Sequence, residues 1–95
     1  MDRLSSDSIV RRRPNILHSR VDDSVFALNV ASGDCFSFRG PSARLWDILS
    51  DPVSAAQAAR RLVGDYEIEE ERCRDEVTDH FQRLYAEGLV IRAEG

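Results

Sequence analysis

The residues best suited to chemistry in this chain are two cysteines (Cys35, Cys73), two histidines (His18, His80) and a dense run of carboxylates, EIEEERCRDE, at residues 67–76. Thiol catalysis needs a base within hydrogen-bond reach and a lowered pKa. His80 has no serine or cysteine at a suitable local spacing, and Cys73 falls on an apolar helical stripe, where burial raises a thiol pKa. The cysteines belong to no CxxC, and two histidines add too few soft ligands for a zinc site, so neither a metal centre nor a disulfide framework is expected. The carboxylates crowd a helix start, where the macrodipole and the neighbouring Arg72 and Arg74 make them ordinary solvated charges. There is no phosphate-binding glycine loop and no metal-spaced carboxylate set. The residue types therefore predict a protein that is not an enzyme, with no catalytic residues, metal or cofactor.

A chain of 95 residues allows one small domain with one core. No run approaches the ~18 apolar residues of a membrane span, and the basic N-terminus lacks the apolar block of a secretory signal. A cytoplasmic location is expected. The net charge of −4 disfavours nonspecific attraction to nucleic acid or anionic lipid.

The elements that must position any site follow from periodicity and punctuation. Residues 1–15 are polar, aperiodic and end in Arg11-Arg12-Arg13-Pro14, the composition of a mobile N-terminal tail; the domain is expected over 16–95. Ile16 to Val21 predicts a first strand, Val25 to Val30 a second and Cys35 to Arg39 a third. A three-residue loop, Ala31-Ser32-Gly33 with Gly33 left-handed, sets Phe36 across from Leu28 and Phe38 across from Phe26, with all four on one face. Pro41 suits the first turn of a helix capped by Gly40 or Ser42 and ending near Ser50; Ser54 caps a second helix ending near Gly64; a third runs from about Glu69 to Glu87, with Gly88 as a stop. Leu89-Val90-Ile91 closes the core. The fold class is α+β, winged helix-turn-helix-like: a three-stranded antiparallel sheet followed by three helices, with Phe26, Leu28, Phe36, Phe38, Trp46, Leu49, Leu62, Phe81, Leu84 and Leu89 in the core.

Two binding functions suit such a fold. A winged-helix DNA-binding transcription regulator would read the major groove with its third helix. Here that helix carries Glu69, Glu70, Glu71, Asp75, Glu76 and Asp79 against Arg72 and Arg74, so it repels phosphates and nucleic-acid binding is the weaker alternative. An edge strand, in contrast, offers unpaired N–H and C=O groups to a guest strand, and the third strand of the meander has a neighbour on one side only. The same open edge invites a symmetric homodimer.

The order of motifs resembles the PqqD-like family, the peptide recognition elements of ribosomally made, modified peptides, named for a chaperone of pyrroloquinoline quinone biosynthesis. The resemblance covers Ile16 to Ile91 and rests on the hairpin VFALNVASGDCFSF, the join RGPSARLWDIL, the alanine-rich helix ending in LVGDY and the closing EVTDHFQRLYAEGLV, where Val77, Phe81, Leu84, Gly88 and Leu89 fit the family pattern. The hairpin followed by Gly40-Pro41-Ser42-Ala43 is most similar to the version of lasso peptide biosynthesis, although members usually have Leu-Asn where this chain has Arg39-Gly40. The resemblance implies that the chain binds the leader segment of a precursor peptide by strand addition beside the third strand and against the third helix. It further implies delivery to a modifying enzyme, a leader peptidase or a radical SAM protein. The expected peptide-binding residues are Asp34, Cys35, Phe36, Ser37, Phe38 and Arg39 on the edge, and Arg74, Thr78, Phe81 and Tyr85 along one side of the third helix.

Overall fold

The computed structural model describes residues 3–93, and the elements in chain order are β1 (Ile9–Arg12), β2 (Ile16–Val21), β3 (Ser24–Asn29), β4 (Cys35–Arg39), α1 (Pro41–Ile48), β5 (Val53–Ser54), α2 (Ala55–Asp65), α3 (Glu70–Ala86) and β6 (Val90–Arg92). The expected meander is present as an antiparallel sheet in the order β2-β3-β4, with α1 packed on β3 and β4 and α3 approaching β4 where His80 meets Phe38. Ser54 caps α2 through a reciprocal box with Gln57, each side chain bonding the other's backbone N–H. Gly40, with φ 58° and ψ −132°, turns β4 straight into α1, a backbone state that side-chain-bearing residues rarely adopt. No described helix is long and apolar enough to cross a membrane.

The structure corrects two expectations about the fold. The first concerns the tail. Residues 9–12 form β1, the centre of a second antiparallel sheet in the order β5-β1-β6, with Val10 opposite both Val53 and Arg92. Val10 is fully buried, and Leu4 is buried ahead of it, with its N–H donating to Gln82 Oε1 at 2.7 Å. The arginine triplet disguises this strand. Period-two alternation leaves Arg11 and Arg13 exposed and turns Arg12 inward, where its guanidinium lies 4.7 Å over the Trp46 ring and donates to the Trp46 carbonyl. Because Arg12 is desolvated, its pKa is lowered, with Asp47 partly opposing the shift. The folded unit therefore starts ahead of residue 16. Met1 and Asp2 of the expected tail, and residues 94 and 95 of the expected domain, lie outside the described residues.

The second correction is a one-residue slip in the β3–β4 register. Val25 faces Phe38, Ala27 faces Phe36 and Leu28 faces Cys35, so Val25 and Ala27 point into the core while Phe26 is 49% exposed on the outer face. A shift of one residue reverses the face of every side chain in a strand. Asn29 causes it: its carboxamide is buried, accepts from the N–H groups of Ala31 and Ser32, and donates to the Gly88 carbonyl at 3.3 Å. Its own N–H donates to the Asp34 carbonyl, so the loop runs from Val30 to Gly33, one residue longer than expected; Gly33 is left-handed at φ 79°. Of the expected core, Phe38, Trp46, Leu49, Leu62, Phe81, Leu84 and Leu89 are buried and Phe36 packs against them, whereas Leu28 is half-buried and turned to the outer face.

Candidate functional site: the free edge of β4

β4 has β3 on one side and, among the described residues, no strand on the other. The bond from Asn29 N–H to Asp34 C=O, 2.9 Å, fixes which groups point each way. In an antiparallel ladder bonded pairs alternate, so Phe36 and Phe38 spend their backbone groups on β3. Cys35, Ser37 and Arg39 present theirs to the open side. All three are exposed.

Between this edge and α3 runs a depression of about 290 Å³, floored by Phe36 and Phe38 and walled by His80, Arg83, Leu84 and Glu87. It continues past Ser42 into a second depression of about 360 Å³ between α1, the α2–α3 link and α3, where Leu45, Leu62, Ile68 and Val77 supply an apolar lining. Ser42, His80 and Arg83 belong to both. Phe38 ties edge to wall: it stacks on Trp46 at 5.5 Å and meets His80 edge to face at 6.2 Å. The His80 pKa is lowered, first by burial and then by Arg83, and its Nε2 is buried without a hydrogen-bond partner among the described residues, so the wall holds a neutral imidazole.

Of the residues expected from sequence, Cys35, Phe36, Ser37, Phe38 and Arg39 lie on β4, and Asp34 ends the preceding turn, its N–H on Ser32 Oγ. The four expected on α3 do not reach the groove. Arg74 lines a depression against α2, Thr78 donates to the Arg74 carbonyl at 2.7 Å, Phe81 is in the core, and Tyr85 lies under the Arg92 guanidinium at 5.9 Å. The groove side is instead Glu76, His80, Arg83 and Glu87, the same spacing moved on by two residues, about 200° around the helix. The stripe of Cys73, Val77, Phe81 and Leu84 does mark the buried side of α3 in the sequence. Which flank of that stripe faces β4 depends on how the helix crosses the sheet, and no residue spacing encodes that.

Burial, then Glu76, raises the Cys73 pKa, and its thiol contacts the Ala59 carbonyl at 3.8 Å. No cluster of three or more metal-capable side chains occurs among the described residues. The exposed side of α3 carries Glu70, Glu71, Asp75, Glu76 and Asp79, a surface that repels a phosphate backbone.

The profile of the family described as Coenzyme PQQ synthesis protein D (PqqD) matches residues 24–90. Two solved structures share the fold. One, TbiB1 in complex with the TbiA(beta) leader peptide, superposes with a TM-score of 0.82 at 15% identity over 90% of this chain and 99% of that one. The other, a lasso peptide synthetase B1 complexed with the leader peptide, gives a TM-score of 0.77 at 24% identity over 86% of this chain and 96% of that one. No curated protein matches the chain at a significant level.

Proposed function

The chain belongs to the PqqD family, and from that premise we propose that it binds the leader segment of a ribosomally made precursor peptide as an added strand on the free edge of β4, and presents it to a modifying enzyme. The observation that carries this is the unpaired edge: Cys35, Ser37 and Arg39 offer an unused ladder beside a groove walled by α3. The two solved structures of the same fold are both leader-peptide complexes, which supports the reading. Each backbone bond to a guest contributes only ~0.5–1.5 kcal/mol net, so selectivity comes from side-chain anchors. The depression lined by Leu45, Leu62, Ile68 and Val77 suits one bulky apolar side chain of the leader.

The chain itself performs no covalent step in this scheme. It raises the local concentration of the precursor at an enzyme that does, a leader peptidase of the lasso type or a radical SAM protein. Pairing of two copies through their β4 edges would compete with the leader, so the loaded form is not that edge-to-edge dimer.

The test is a titration of isotope-labelled protein with the leader segment of a precursor peptide encoded beside it. The largest backbone amide shifts are expected from Cys35 to Arg39 and along Glu76 to Glu87. Shifts concentrated on β2 or on α2 would refute the placement.

A further inference from the structure

The groove holds one cation that the fold itself does not use. Arg83 lines both depressions, yet its guanidinium has no hydrogen bond or ion pair among the described residues. Two of the nearby carboxylates are engaged elsewhere, Glu76 with Arg72 at 3.3 Å and Asp79 with Arg3 at 4.0 Å, and Glu87, one turn further along the same wall, forms no ion pair with Arg83. The arginines flanking α1 are likewise paired, Arg20 with Asp47 and Arg44 with Asp65. His80 beside it is kept neutral by burial and by Arg83 itself, so no second positive charge competes at this point of the wall.

Building on the leader-binding reading, we infer that Arg83 is a specificity-determining residue that selects an acidic side chain of the guest strand, next to the bulky apolar residue entering the neighbouring depression. The spacing follows from where the two depressions lie. From the Phe36 end of β4 toward Ser42 the wall passes from Glu87 and Leu84 through Arg83 and His80 to Glu76, so Arg83 stands between the strand edge and the apolar depression. Side chains on one side of an added strand recur every two residues, about 7 Å apart. An Asp or Glu facing Arg83 therefore places the next residue on that side, two positions away, over the apolar depression. A rim ion pair of this kind governs register and association more than total affinity.

The test is selection of displayed random dodecapeptides on the immobilised full chain, run in parallel for wild type, Arg83→Glu and Arg83→Ala. Arg83 is exposed, so the fold is retained, and melting curves confirm it. Wild type is expected to enrich Asp or Glu two residues from a bulky apolar residue; Arg83→Ala loses that preference and Arg83→Glu exchanges it for Lys or Arg. A selected acidic peptide binds Arg83→Glu about tenfold more weakly. An acidic preference that survives Arg83→Glu, or no charge preference in wild type, overturns the inference. Peptides that lose binding to Ser37→Pro but show no charge preference leave strand addition standing and remove Arg83 alone. Peptides indifferent to Ser37→Pro, or the absence of any enriched peptide, overturn the strand-addition reading and the inference with it.

Discussion

Proline at position 37 separates guest binding from folding. Ser37 is exposed, its backbone groups point to the open side of β4, and its neighbours Phe36 and Phe38 hold the ladder to β3. Proline at an edge position whose N–H faces outward therefore keeps every β3 bond. For a guest the change is severe. The outward N–H and C=O groups of Cys35, Ser37 and Arg39 allow a ladder of up to about six bonds at ~0.5–1.5 kcal/mol each. Ser37→Pro deletes the central donor, leaves a guest carbonyl desolvated at a cost of ~1–3 kcal/mol, and puts a ring where the guest backbone must approach. The sum is about 2–4 kcal/mol, or roughly 30- to 1,000-fold in Kd. Calorimetric titration at 25 °C with the leader segment, beside Ser37→Ala as a control expected within about threefold of wild type, measures it. A Ser37→Pro protein with unchanged circular dichroism and wild-type affinity would refute strand addition at this edge.

Two further expectations concern the scaffold. Deleting residues 1–12 removes the buried Leu4 and Val10 and the central strand of the second sheet, so stability should fall by about 3–6 kcal/mol and Tm by more than roughly 10 °C; an unchanged Tm in a thermal melt would return these residues to the status of an unstructured tail. The lowered His80 pKa means that the folded state binds fewer protons than the unfolded state just below pH 6.5, so stability is fully present above that pH and declines as pH falls through it toward the folded value. His80→Gln should flatten the fall in Tm between pH 7.5 and 5.5, and a His80→Gln protein with the same pH slope as wild type would show that burial of this imidazole has no such consequence.

What the sequence determined on its own is whatever local chemistry decides. Ser54 with Gln57, Gly40 before Pro41, and Gly88 after the helical stripe place the ends of α1, α2 and α3 within a residue or two, because caps and left-handed glycines are satisfied within a few positions of the chain. The meander and its open third strand followed in the same way, from runs of alternating residues separated by turn chemistry. Three features needed the tertiary structure. β1 finds its partners at Val53–Ser54 and Val90–Arg92, so its four residues look like a charged tail until segments distant in sequence meet on either side of them. The hairpin register depends on Asn29, whose side chain is satisfied partly by the carbonyl of Gly88, 59 positions away; without that bond the apolar Phe26 and Leu28 argue for the opposite face. The groove wall depends on the rotation of α3 against β4, which brings His80, Arg83 and Glu87 to the edge and sends Arg74 toward α2. A helix fixes the spacing of its residues by its own hydrogen bonds, but the direction in which each flank looks is set by the packing of Trp46, Phe38 and Phe81 across elements, and that is long-range information.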